Sequence, residues 1–300
     1  MAIQMDKIQN VIPIAAGNRT LSSALSQFGI SSHQQDHRRH GKIHTMNPLF
    51  LAAPVVAAGF AGLTAYGARH PRSQLFGPTI FQTDSPRKLA LTFDDGPNPA
   101  ITPKLLDLLD RHNAKATFFL VGKFVRECSS LVKETAARGH LIGNHTETHP
   151  NLFFCGPEET RTELLRCTEA ISHAIFEEPR LFRPPFGLRS PWLGEIVSQS
   201  RMQAVVWTLL PGDWRVKPVD WLAARLQPIA DHAKQNLSTG NPPQPQGHGD
   251  VLCLHDGDYK NLNGDRSHTL AALEFWLPRW RDLGLEFVTI TQALGRAVEA

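Results

Sequence analysis

From residue 88 onward, short apolar runs alternate with amphipathic stretches. Seven runs rich in Val, Phe, Leu and Ile read as strands: Leu89–Phe93, Thr117–Val121, His140–Asn144, Leu181–Pro184, Ala204–Thr208, Val251–Leu254 and Glu286–Ile290. Each is nearly continuous in apolar residues, the pattern of parallel strands covered on both faces. Helices fit between them. Thr102-Pro103, Gly156-Pro157 and Ser190-Pro191 each set a capping or permissive residue before a proline at the first helical position. Pro103–Arg111 and Ser129–Arg138 fill the first two gaps, and Gly139 and Gly284 stand where helices stop. Seven repeats of strand then helix predict an α/β fold, either a barrel or an open parallel sheet.

The polar clusters favour the barrel. Asp94-Asp95 follow the first strand and His145 the third. Arg183 closes the fourth, Asp213 lies soon after the fifth, and His255 ends the sixth. Barrel sites are assembled at the C-terminal face from several strands, whereas an open sheet concentrates its site near one switch point. Seven strands rather than eight make the expectation a distorted (β/α)7 TIM-like barrel. Residues 236–250 read as an extended loop before the sixth strand.

The N-terminal third is different. Residues 1–45 are polar, without a sustained period, and are expected to form a disordered tail; Met46 is an alternative start. Ile43 to Ala68 contain no Asp, Glu, Lys or Arg. Pro48 to Tyr66, 19 residues, match the roughly 20 that a membrane-spanning helix needs. Residues 46–69 therefore read as a hydrophobic membrane anchor or signal segment, the alternative being a buried core helix. Many Ala and Gly make the span weakly hydrophobic. Arg38, Arg39 and Lys42 precede it; Arg69 and Arg72 follow. The slight basic excess before it favours an N-terminus inside. The expectation is a single-pass protein of the cell membrane, anchored through residues 48–66, with an extracytoplasmic domain; the alternative is secretion after signal cleavage. Residues 70–85 read as a linker and 292–300 as the end of a C-terminal helix.

With 300 residues, 41% of them apolar, the chain can bury a sizeable core. Its 31 basic and 28 acidic residues leave a net charge of +3. No basic stripe is interleaved with aromatics, so no nucleic-acid partner is expected, and no protein partner is readable. The four cysteines form no Cys-x-x-Cys pair, which removes support for a zinc knuckle or a thioredoxin-like motif. Cys253 reads as a small buried hydrophobe. A Cys155–Cys167 disulfide stays open if the domain is exported.

Two acids at the end of a strand point to chemistry, although Asp-Gly and Asp-Pro clusters also simply make turns. His145 and His149 are four residues apart, a spacing that puts both on one face of a helical turn. In a chain with 14 histidines that spacing also arises by chance. Together with Asp95 they make two imidazoles and one carboxylate, a catalytic-type set for Zn²⁺ with a position left for water; Co²⁺ or Ni²⁺ also suits it. Asp94 is then the candidate base on the activated water and His255 the candidate acid for the leaving group. The bland alternatives are a satisfied strand-end histidine at 255, a surface cation at Arg183 and a turn at Asp213-Trp214. Arg183 directly after an apolar run needs a carboxylate partner, and Asp94 is a candidate.

Taken in order, Thr92–Pro97, His145–His149, Arg183–Gly187, Asp213-Trp214 and Leu254–Gly257 resemble the five motifs of NodB-type polysaccharide deacetylases, carbohydrate esterase family four. The resemblance covers residues 86–291. Gly143-Asn144, Gly249-Asp250, Asp265-Arg266 and Thr269 agree with it. It implies Asp94 as general base, Asp95, His145 and His149 as metal ligands, and Arg183 as the group that orients the base. It implies His255 as general acid, tuned by Asp213, and an oxyanion contact from the Phe186 N–H. The family often has Tyr at that position, so any role of the hydroxyl is lost here. Trp214 and Leu254 are implied to line the acetyl pocket. The expected activity is metal-dependent removal of N-acetyl groups from N-acetylhexosamine residues of a polysaccharide or lipid-linked glycan, the glycan being the expected partner. The alternatives are an O-acetyl esterase or non-sugar amidase with the same site, or an inactive carbohydrate-binding protein.

Overall fold

The computed structural model describes residues 48–237 and 247–295. Its strands are β1 (Thr79–Ile80), β2 (Lys88–Gly96), β3 (Thr117–Leu120), β4 (Leu141–Asn144), β5 (Leu181–Phe182), β6 (Gln203–Val205), β7 (Asp250–His255) and β8 (Glu286–Val288). Its helices are α1 (Pro48–Arg69), α2 (Thr102–Arg111), α3 (Gly122–Glu127), α4 (Ser129–Ala137), α5 (Pro157–Ile175), α6 (Leu193–Gln199), α7 (Val219–Leu237), α8 (Ser267–Asp282) and α9 (Ile290–Ala293). Ala52–Ala300 make one compact unit, and of the unit before it only Pro48–Leu51, the start of α1, are described.

The strands pair in the order β1-β6-β5-β4-β3-β2-β7, with β8 also beside β2, and every strand pair is parallel. A parallel bridge between Leu209 and Leu252 joins the chain leaving β6 to β7 and closes a distorted barrel. The seven expected strands are β2 to β8. The eighth, β1, lies inside the segment read as a linker and is only two residues long, too short for a periodic signal.

Alternation along the strands sorts side chains between two layers. Leu89, Leu91 and Phe93 of β2 pack outward with Leu105, Leu106 and Leu109 of α2. Ala90 points the other way, with Phe119, Leu181, Val205 and Val251 inside the barrel. Phe118 and Leu120 of β3, and Leu252 and Leu254 of β7, take the outward face. Each such Leu or Phe removed from water contributes about 1.5–3 kcal/mol. The outer layer is tied by the Trp276 indole N–H, which donates to the Ala223 carbonyl at 2.9 Å and joins α8 to α7.

Several expectations need correction. The anticipated loop over 236–250 starts later, because α7 runs through Leu237, and β7 already begins at Asp250; residues 238–246 lie outside the described residues. Ser190-Pro191 does not open a helix directly. The Leu193 N–H returns to the Ser190 carbonyl in a turn, and α6 starts only at Leu193. The four cysteines are free. Cys155 and Cys167 sit in separate core clusters, and their thiols donate to the Asn151 and Leu120 carbonyls at 3.5 and 3.3 Å.

The transmembrane expectation over residues 48–66 finds no support among the described residues. The stretch is helical as α1, but no helix among the described residues is long and apolar enough to cross a membrane. The tail over 1–45 and the last residues of the expected C-terminal helix end, 296–300, lie outside the described residues.

Candidate metal centre and active site

Asp94 and Asp95 adjoin in a strand, where alternation would point them to opposite faces. The register of β2 against β3 shifts between Asp94 and Gly96, leaving Asp95 as the extra residue of a bulge with φ 70°. A bulge with a left-handed residue re-aims a side chain at a local cost of order 1–3 kcal/mol. Both carboxylates thereby line one cavity of about 550 Å³. Gly257, after β7, is forced by the same crowding, since a Cβ there would lie 2.0 Å from the Asp95 carbonyl oxygen.

His145 and His149 reach Asp95 by a loop, not by the helical turn expected from their spacing. Thr146 and His149 have φ 68° and 65°, which no helix tolerates. The loop is held by the Gly122 and Lys123 N–H groups, which donate to the Thr146 and Glu147 carbonyls at 3.0 and 3.1 Å. His145 Nε2 and His149 Nε2 lie 3.5 and 3.2 Å from Asp95 Oδ1. That oxygen is buried and has no hydrogen-bond partner, and the three candidate ligand atoms lie within 4.8 Å of one another. A buried carboxylate oxygen left unsatisfied is costly, and a divalent cation between the three atoms would satisfy it. Burial opposes the Asp95 charge, but the close approach of His145, with His255 and His149 nearby, outweighs it, so the carboxyl sits well below the usual range. Burial and the neighbouring His145 hold His149 down at about 3 against the pull of Asp95 and Asp94, leaving a neutral imidazole. An ionised carboxylate and a neutral imidazole are the protonation states a metal requires.

Asp94, Cys253 and His255 also bring possible ligand atoms together. Asp94 and Cys253 are otherwise engaged, and so is Nδ1 of His255. Arg183, fully buried, donates from Nη1 to Asp94 Oδ1 at 2.7 Å and to Thr92 Oγ1 at 2.7 Å. Its Nε and Nη2 reach the Val205 and Val206 carbonyls, both at 3.3 Å, and its plane lies 4.2 Å from the Phe119 ring centre. Burial and the Asp94 charge push the Cys253 thiol well up, so it stays protonated and donates to Asp94 Oδ2 at 3.3 Å. At the end of the adjacent strand β7, Asp213 accepts from the His255 backbone N–H and contacts its Nδ1, both at 2.8 Å. The Thr269 hydroxyl and His268 ring fix Asp213 in turn. Burial lowers the His255 imidazole, but the Asp213 charge and hydrogen bond, with Asp95 and Asp94, overcome it and push it up to about 9.

A family model described as polysaccharide deacetylase matches residues 81–205. A peptidoglycan-N-acetylglucosamine deacetylase of Bacillus cereus is 35% identical over 206 residues, 69% of this chain and 87% of the relative. The chain belongs to the polysaccharide deacetylase family. A chitooligosaccharide deacetylase of Sinorhizobium fredii is 32% identical, over 74% of this chain and 94% of the relative. The crystal structure of a peptidoglycan N-acetylglucosamine deacetylase in complex with 4-naphthalen-1-yl-N-oxidanyl-benzamide superposes with TM-score 0.63 at 28% identity, covering 74% of this chain and 95% of that one.

In this polysaccharide deacetylase, Phe186 and Trp214 line the cavity and are half exposed. Phe186 has φ 58° in a single 3-10 turn, Pro185–Gly187. Leu254, expected in the acetyl pocket, does not line it. Cys253 and His255 point inward, so Leu254 between them faces the helices, and Leu210 lines the cavity instead. Sequence pattern alone marks Cys253 only as a buried hydrophobe. Its position two residues before His255, on the same strand face, was the available signal. Tyr259 and Lys260, on the loop after β7, also line the cavity and carried no sequence signal.

Proposed function

We propose that this protein hydrolyses the N-acetyl group of N-acetylglucosamine residues in a glycan, releasing acetate and leaving the free amine. The observation that carries this reading is the orphaned Asp95 Oδ1 between two imidazoles, with Asp94 and His255 lining the same cavity. Asp95, His145 and His149 would hold a divalent metal, Zn²⁺ by its donor set. Bound there, it supplies Lewis acidity to the attacking water and the acyl oxygen.

The protein's own groups do the rest. Asp94 Oδ1 is fixed by Arg183, so Oδ2 is the atom that takes the proton from water. The Phe186 N–H, at the cavity wall, serves the developing oxyanion. Nδ1 of His255 is held by Asp213, which leaves Nε2 to protonate the departing amine. Nitrogen leaves only when protonated, so an imidazole kept charged to about pH 9 suits the step. Peptidoglycan and chitin oligomers are the substrates we infer, from what the relatives named above act on.

Acetate release from N-acetylglucosamine oligomers, with and without chelator, tests the reading. Release that a chelator stops and Zn²⁺ restores is the expected result. Release only from acetylated xylan would convert it to an O-acetyl esterase, and no release from any acetylated glycan would leave a binding protein. Export of the domain belongs to the same proposal, supported by the uncharged stretch Ile43–Ala68. A fusion of residues 46–75 to a reporter active only outside the cytoplasm checks it; a silent reporter removes export.

A further inference from the structure

The two histidines beside Asp95 are oriented by different means. His145 Nδ1 lies 2.7 Å from the Arg183 carbonyl, to which its N–H donates, directing Nε2 at Asp95. Ligating histidines almost always use their second nitrogen in this way. His149 does not: its Nδ1 is buried and without a hydrogen-bond partner. Packing holds its ring instead. The Tyr259 ring stacks on it, with centroids 4.0 Å apart and planes 22° from parallel. Phe186 closes a second side edge-on at 4.7 Å, and Phe186 and Tyr259 meet each other at 5.6 Å.

The stack is braced through the backbone. Lys123 donates its N–H to the Glu147 carbonyl, in the loop that carries His149. Its ammonium donates to the Tyr259 carbonyl at 2.7 Å. One residue therefore fixes both loops whose rings stack, which sets the distance between them. Flat stacking allows the imidazole to slide but resists the tilt that would swing Nε2 away from Asp95.

We propose that Tyr259 is the positioning residue of His149, its ring and the Lys123 brace standing in for the hydrogen bond that this ligand lacks. The proposal rests on His149 being a metal ligand. It assigns Tyr259 to the metal centre rather than to the sugar, although the ring also lines the cavity. Losing a group that orients a metal ligand typically costs about 10–100-fold in affinity.

The test is Co²⁺ titration of the metal-free full chain, read from the visible absorption of the bound ion. Tyr259→Ala is expected to weaken Co²⁺ binding by about 10–100-fold and to change the absorption bands, whereas Tyr259→Phe, which keeps the ring, binds as the wild type does. Lys123→Met is expected to shift affinity in the same direction and by less. If circular dichroism shows Tyr259→Ala unfolded, Tyr259→Leu takes its place. Wild-type affinity and bands in a folded Tyr259→Ala or Tyr259→Leu, with only KM for the glycan raised at saturating metal, would overturn the proposal and make Tyr259 a sugar contact. A wild-type chain that binds no Co²⁺ would overturn it together with the metal reading above; the two failures are told apart by the wild-type titration.

Discussion

The base half and the acid half of the site are both charge pairs at strand ends, built to opposite specifications. Arg183 and Asp94 are sealed, with side chains 0% and 4% exposed, and the guanidinium spends its donors on Asp94, Thr92 and two backbone carbonyls. His255 keeps a side-chain exposure of 13% against a fully buried Asp213, and the half-exposed Trp214 stands edge-on to it at 5.5 Å. The sealed pair holds a base in one orientation. The open pair leaves one nitrogen of an acid free to meet a leaving group. Rigidity sits where the proton is taken, and access sits where it is given.

Breaking the sealed pair should have the largest effect. Arg183→Met leaves Asp94 as an uncompensated buried charge, and removing one partner of such a pair costs about 3–5 kcal/mol; denaturant unfolding should show a loss of that order. Arg183→Lys should not rescue it, because a point charge cannot reach Asp94, Thr92 and the Val205 and Val206 carbonyls together. Asp94→Asn keeps the shape and removes the base. It should retain metal and lower turnover by about 10²–10⁴-fold, measured as acetate release alongside metal content. Wild-type turnover in Asp94→Asn would end the distinction between the two halves.

The open pair predicts a pH effect rather than a collapse. The ordinary histidine value is 6.5 and the folded one about 9, so the protonated imidazole is stabilised by folding. That contribution to stability is full below about 6.5 and is lost as pH rises toward 9. Catalysis should follow the same group, with an alkaline limb in kcat/KM near 9. Asp213→Asn removes the charge that holds the proton, and burial then dominates, so the limb should move to lower pH. An unmoved limb would mean that Asp213 only positions the ring.

Legibility in the sequence divides along the same line. Strand-end residues whose geometry follows from alternation were readable: Asp94, Arg183 and His255 point into the barrel because their strands do. Residues that break alternation are legible by type and order, as Asp95 and His149 are, but not in the backbone geometry that delivers them. Asp95 reaches the cavity through a bulge and a φ of 70°, and His149 through a left-handed turn, both imposed by tertiary packing rather than by local propensity. The resemblance implies Leu254 in the acetyl pocket, but one step along β7 turns it to the helices. The Cys155–Cys167 pairing stays open in the sequence because proximity along a loop and a helix says nothing about which core each thiol enters. Tyr259 was unreadable, since nothing local tells a loop tyrosine that it will stack on a histidine over a hundred residues earlier.

Cys253 provides the finest test of the contrast, because it touches the sealed half alone. Its thiol is a second, weak donor to Asp94, at 3.3 Å on Oδ2, the oxygen that must receive a proton. A donor there competes with the attacking water for the same lone pairs, while also fixing the carboxylate plane. Sealing is already supplied by Arg183, so the orienting part is redundant. A neutral hydrogen bond contributes about 0.5–1.5 kcal/mol net, and a thiol is a weak donor. Cys253→Ala should therefore change kcat by less than about tenfold, leave KM and metal content as they are, and leave the alkaline limb set by His255 unmoved. Cys253→Ser, a stronger donor to the same oxygen, should lower kcat further than Cys253→Ala if competition with water is the larger effect. The order of the two variants in a steady-state assay decides whether the sealed half is held more tightly than catalysis needs.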